Sequence, residues 1–142
     1  MINNENIEEV KRLLKNKKEN IIVAKEDEFN RKILEHGNFK IILSIEKGNR
    51  KNNIRQTNSG LNHILAKIAS KNKIAMGIDL NEIKYLEPKQ KAERLSKIIQ
   101  NIKICRKSNT KIAIKTQSLE KARDLVIGLG ASTSQSKEAI VF

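Results

Sequence analysis

Apolar residues recur along this chain in two alternating rhythms. Ile7, Val10, Leu13 and Leu14 stand at helical spacing and predict a helix over 5–18. The short apolar run Ile21-Ile22-Val23-Ala24 predicts a strand. Phe29, Ile33 and Leu34 mark a second helix, which Gly37 is placed to end. Residues 39–46 (FKIILSIE) predict a strand, and 47–58 a polar, basic loop. Leu61, Ile64, Leu65 and Ile68 give a third helix, and 73–80 a third strand. Pro88 suits the first turn of a long helix carrying Ala92, Leu95, Ile98, Ile99 and Ile102. Ile104 lies off that face, so the helix meets apolar material on a second side. Residues 111–116 predict a fourth strand. Ser118 then caps a helix through Leu119, Ala122, Leu125, Val126 and Leu129, ended by Gly128 or Gly130. Residues 132–136 read as a loop, and 137–142 fit no single element.

Strands alternating with helices of ten or more residues imply a parallel sheet of βαβ units, so the class is α/β. Right-handed crossovers leave an open doubly wound sheet or part of a barrel. A full eight-unit barrel takes about 250 residues, and this chain of 142 holds four or five units. It reads as one domain over 1–142, without internal repeats or low-complexity segments.

Charge changes the picture. Of 29 Lys and Arg, fourteen lie in two stretches that contain no acid, 47–78 and 94–119. The rest of the chain holds 15 basic against 16 acidic residues, so the net charge of +13 resides in those stretches. Such segregation attracts a polyanion, and nucleic acid is the first candidate because neutralised phosphates release counterions. Tyr85, Phe29, Phe39 and Phe142 are the only aromatic residues. Base stacking, the usual device for reading single strands, is therefore poorly supplied. Binding must rest on phosphates, sugar edges and shape.

The catalytic inventory is thin. His36 and His63 are the only histidines, and neither belongs to a metal-ligand spacing. Asp79, at a strand's C-terminal end, reads as a helix cap. The glycines at 128 and 130 follow a helix, which excludes a dinucleotide fingerprint. Cys105 excludes an internal disulfide and falls on an apolar helix face, as a buried small residue does. The start, MINNENIEEV, lacks a signal peptide's basic end and apolar middle, and no apolar run reaches membrane-span length. The expectation is a soluble, cytoplasmic binding module that touches no membrane. Within it, 47–62 (KGNRKNNIRQTNSGLN) stands out. Asn58 and Ser59 can cap the helix that follows, and N–H groups near Ser59 and Gly60 favour an anion there. Two readings stand: an RNA phosphate oriented by Arg55, or an ordinary cap on a solvated loop.

The segments NSGLNHILAKIASKNKIAMGIDL (58–80) and IIQNIKICRKSNTKIAIKT (98–116) resemble ribonuclease P protein component 3 of archaea. That family is the counterpart of the eukaryotic thirty-kilodalton RNase P subunit. IIVAKEDEFNRKIL, FKIILSIEKG and DLVIGLG extend the resemblance over roughly 20–142. It implies a TIM-barrel-like fold, related in shape to metal-dependent phosphoesterases but without their ligands. It implies a non-catalytic subunit, inactive alone and binding no cofactor. The Mg2+-dependent RNA cleaves the 5′ leader from precursor tRNA. Its implied partners are that catalytic RNA, a small ferredoxin-like protein subunit and, indirectly, precursor tRNA. Carried onto this sequence, Ser59, Gly60, Asn62 and His63 form the motif. Asn101, Lys103, Arg106 and Lys107 match the basic helix. Arg55 matches a basic residue often found just before the motif, and Lys47, Arg50 and Lys51 of the acid-free loop are expected to add RNA contacts. Arginines and lysines are assigned to phosphates; Ser59 and Asn62 either bond RNA or brace the loop. Family members open with extra strand–helix units, whereas this chain starts on a helix. The barrel is therefore expected to be incomplete, with a partner subunit, a second copy or a separately encoded fragment covering its edge. The alternatives are a general basic RNA-binding or ribosome-associated protein and a metal-dependent phosphoesterase of the same barrel type.

Overall fold

The structure, a computed structural model, describes residues 1–16, 19–48, 50–51 and 57–142. Its order is α1 (Ile7–Lys15), β1 (Ile21–Val23), α2 (Asp27–His36), β2 (Ile41–Leu43), α3 (His63–Lys71), β3 (Ala75–Asp79), α4 (Leu80–Lys84), α5 (Pro88–Ser108), β4 (Ile112–Lys115), α6 (Leu119–Gly128), α7 (Thr133–Glu138) and β5 (Ile140–Val141). The five strands are all parallel and lie in chain order. A doubly wound sheet reverses its strand order at a switch point. This sheet never does, so the barrel-type alternative is the one adopted, as an open arc.

Strand side chains alternate between two faces, and the faces differ in kind. Ile22, Ile42, Met76, Ile78, Ile112 and Ile114 belong to the large core under the helices. Ile41, Ala75 and Ala113 form a separate small cluster on the concave face, joined by Ile21 and Phe142. Small residues there let the arc curl. A β-carbon added to Gly77 would stand 2.8 Å from Ile41 Cγ2 and 3.0 Å from Leu43 Cδ1.

Several element ends have local causes. Asn6 caps α1 by accepting from Glu8 and Glu9 N–H, Pro88 opens α5, and Ser118 caps α6. Gly37 ends α2 with φ 69. Asp79 caps α4, its Oδ1 accepting from Glu82 N–H at 3.2 Å.

The structure corrects three expectations and settles a segment left open. The chain does not open directly on a helix, because Ile2 pairs with Ile22 along the free edge of β1. β2 stops at Leu43, before 46, because Ser44 turns into left-handed backbone at φ 61. Residues 133–138 are helical, not a loop, since Ser132 and Gln135 close a reciprocal capping box. The C-terminal segment pairs with β4 as β5.

Candidate nucleic-acid interface

The segment Ser59-Gly60-Leu61-Asn62 is built into the body of the protein. Asn62 caps α3, accepting from Leu65 N–H at 2.9 Å. Asn58 and Ser59 lie upstream of the helix start, which corrects the expected cap. Gly60 adopts φ 78 and the Asn62 backbone is extended, so helical backbone cannot begin earlier. Ser59 is 1% exposed. Its Oγ donates to the Leu61 carbonyl and accepts from Gln100 Nε2 at 3.0 Å. Gln100 also donates to the Thr57 carbonyl at 2.7 Å, and Asn101 Nδ2 donates to the Ser59 carbonyl at 3.2 Å. These bonds tie the segment to α5. His63 is the first, exposed residue of α3. Beside this bracket, Lys51, Arg31 and Ile64 help line a groove of about 430 Å³.

The buried stripe of α5 explains the tie. It runs Arg94, Ile98, Asn101, Ile102, Cys105, a helical spacing that includes two polar residues. Of the α5 residues expected at the RNA, Lys103, Arg106 and Lys107 are exposed, whereas Asn101 is 7% exposed. Arg94 and Gln100 were not among the expected residues. The 94-98-101-102-105 spacing was the available signal. Burial pushes the Cys105 thiol up to about 12, so it stays protonated.

Arg94 anchors a network at the C-terminal end of the strands. Its Nε donates to Glu46 Oε1 at 3.1 Å and its Nη2 to Glu82 Oε2 at 3.2 Å. Glu82 also pairs with Lys47, and Lys115 Nζ lies 3.3 Å from Asp79 Oδ2. Burial raises the Glu46 carboxyl above its ordinary range, against the pull of Arg94. Burial acts on Glu82 in the same sense, but hydrogen bonds from Arg94 and Lys47 outweigh it and hold that carboxyl low. Among the described residues, no group of three or more His, Cys, Asp or Glu could hold a metal ion.

Arg50 is likewise engaged internally. Its Nε donates to Asp27 Oδ1 at 2.7 Å, and its Nη1 to the carbonyls of Lys47 at 2.7 Å and Ile45 at 3.1 Å. Stretches free of acid in the sequence are thus not free of acid in space: Lys47, Arg50, Arg94 and Lys115 are all compensated by distant carboxylates. Arg55 lies outside the described residues.

Other cations of these stretches stand on two helices. Lys103, Arg106 and Lys107 of α5 are exposed, as are Lys67 and Lys71 of α3. None makes an ion pair with a described residue. The two helices are joined at their C-terminal ends: Thr110 Oγ1 donates to the Ala66 carbonyl at 2.8 Å, and Ser70 Oγ to the Asn109 carbonyl at 3.1 Å. Their solvent faces therefore form one surface with positive charge left uncompensated. No described helix is long and apolar enough to cross a membrane.

No family model matches the sequence, and no curated protein matches it. In structure the chain is similar to a chain of a "cryo-EM structure of archaeal Ribonuclease P with mature tRNA", with TM-score 0.80 and 18% sequence identity. The likeness covers 96% of this chain and 61% of that one, so this chain spans about three fifths of the length of the solved chain it matches. What the two share, over nearly all of the present chain, is the fold: a parallel β/α arc of barrel type.

Proposed function

We propose that this chain is a non-catalytic protein subunit of a ribonuclease P ribonucleoprotein, supporting RNA-catalysed removal of the 5′ leader from precursor tRNA. The observation that carries this reading is the likeness of its fold, over 96% of its length, to a chain of archaeal ribonuclease P solved with mature tRNA. The chemistry of the surface supports it. Lys103, Arg106 and Lys107 on α5, with Lys67 and Lys71 on α3, offer uncompensated charge to phosphates. Lys47, Arg50 and Lys51 follow β2 at the opposite, C-terminal end of the strands, with Lys47 and Arg50 shared with Glu82 and Asp27. Ser59 and Asn101 brace the loop against α5, Asn62 caps α3, and Gly60 makes the turn between them. The strand-end carboxylates Glu46, Asp79 and Glu82 are each bound to a cation of the chain, which favours binding over bond-breaking.

In this reading the partners are the catalytic RNA, which uses Mg2+, a small ferredoxin-like protein subunit and, indirectly, precursor tRNA. A partner subunit, a second copy or a separately encoded fragment covers the edge of the incomplete barrel on the β1 side. Reconstituted cleavage of precursor tRNA by the catalytic RNA, with and without this chain, tests the reading. Cleavage at lower Mg2+ in its presence is expected. RNA binding without any effect on cleavage would favour a general RNA-binding protein instead.

A further inference from the structure

Parallel strands open all their N-terminal ends at one end of the sheet, opposite the Glu46–Arg94 network. Three of the connections that reach that mouth pass through left-handed backbone: Asn38 at φ 64, Lys73 at φ 57 and Asn109 at φ 57. Each also brings a lysine to the start of a strand. Lys40 precedes Ile41, Lys73 stands two residues before Ala75, and Lys111 precedes Ile112. The backbone fixes their relation. The Lys40 carbonyl accepts from Ala75 N–H at 2.8 Å and the Lys111 carbonyl from Met76 N–H at 2.9 Å. Lys40 and Lys111 therefore flank β3 on its two sides, with Lys73 leading into it. At about 4.8 Å between neighbouring strands, the outer two backbones lie about 10 Å apart.

All three lysines are exposed, and none pairs with a described carboxylate. They line a cavity of about 790 Å³ together with four asparagines, and no Asp or Glu lines it. Phe39, the aromatic residue of the cavity, is 5% exposed and offers no stacking platform. Three ammonium groups lining one cavity with no carboxylate among them repel one another, and amides add neutral donors. That combination fits a run of phosphates and not a base. The opposite mouth is the reverse case, its charges spent on one another.

We propose that the N-terminal mouth of the arc is a phosphodiester-binding site, in which Lys40, Lys73 and Lys111 engage the backbone of RNA. The site continues the α5 surface, because α5 ends at Ser108 and Asn109 and Lys111 follow directly. This inference rests on the reading that the chain binds RNA, and assigns where several of the phosphates sit.

Lysine acetylation of the full chain, read by mass spectrometry with and without a precursor-tRNA transcript, tests it. Lys40, Lys73 and Lys111 are expected to be protected severalfold by the RNA. In parallel, the triple variant Lys40→Gln, Lys73→Asn, Lys111→Gln is titrated with the same RNA over a range of salt. Asn is chosen at 73 because it tolerates left-handed backbone. The slope of log K against log salt should shrink by about 2.7, or 0.9 per lost phosphate. Salt-sensitive binding by the wild-type chain with no protection of these lysines overturns the mouth site and leaves the RNA-binding reading standing. Absence of RNA binding by the wild-type chain overturns both. Protection by inorganic polyphosphate but not by RNA overturns the assignment to phosphodiesters. The acetylation arm uses the wild-type chain, so the outcome does not depend on the variant folding.

Discussion

A β-carbon on Gly60 would lie 2.2 Å from the Ile45 carbonyl oxygen. The chain leaving β2 and the chain entering α3 therefore cross in contact, and only a residue without a side chain fits between them. The guanidinium of Arg50 closes the third side, its Cζ 2.9 Å from the same position. Gly60→Ala meets both a backbone clash and the strain of φ 78. It should cost about 2–4 kcal/mol of stability. Urea denaturation measures this directly, and wild-type stability in the variant would show that the crossing is looser than described.

Asn101 reaches the Ser59 carbonyl from within the buried stripe of α5. Asn101→Ala leaves that carbonyl without its donor and should cost about 1–3 kcal/mol. Asn62→Ala removes the α3 cap and should cost about 1 kcal/mol. In both variants, RNA titrations on the folded protein should keep the wild-type salt slope, since neither side chain carries charge to a phosphate. A reduced slope with unchanged stability would make them RNA ligands.

Much of the fold was legible because periodicity reports burial. Ile22, Ile42 and Ile114 stand in short apolar runs and are fully buried strand residues; Ile98 and Ile102 keep helical spacing and face the core. The family resemblance added the barrel type, which the order of five strands bears out. The site was less legible because a sequence does not show which charges meet in space. Arg94 and Glu46 are far apart along the chain, yet share a buried hydrogen bond. Residues 133–138 carry no apolar pattern at all; that helix depends on the Ser132–Gln135 capping box.

Glu46 and Glu82 share Arg94 but differ in burial, and their pH dependences oppose each other. Glu46 is 2% exposed, and burial raises its carboxyl above the ordinary value of 4.5. It binds its proton more tightly when folded. Its contribution is therefore present below 4.5 and is lost as pH rises through the raised value. Glu82 is held low, so its contribution is present above 4.5 and is lost as pH falls through the depressed value. Glu46→Gln removes the first dependence while keeping an oxygen for Arg94 to donate to. The Tm difference between variant and wild type should move in the variant's favour as pH rises from about 4 to 7. Movement the other way would mean that Arg94 keeps Glu46 ionised. Arg94→Leu leaves carboxylates unpaired at this mouth and should cost about 3–5 kcal/mol at neutral pH.

Lys103 and Arg106 stand three residues apart on α5, so they are neighbours on its surface and repel each other. Neither contributes to the stripe that holds the helix in place. Lys103→Ala with Arg106→Ala should therefore leave the fold intact, because Ala is a good helix former and the removed repulsion offsets any lost dipole interaction. RNA affinity should respond differently. If each residue neutralises one phosphate, the slope of log K against log salt falls by up to about two, and the loss in affinity is largest at low salt. The ratio of cognate to unrelated RNA affinity should barely move, because phosphate contacts carry no sequence information. Fluorescence titrations at four or more salt concentrations provide the slope, and circular dichroism checks the fold. An unchanged slope in a folded double variant would move the RNA off α5 and onto another face of the molecule.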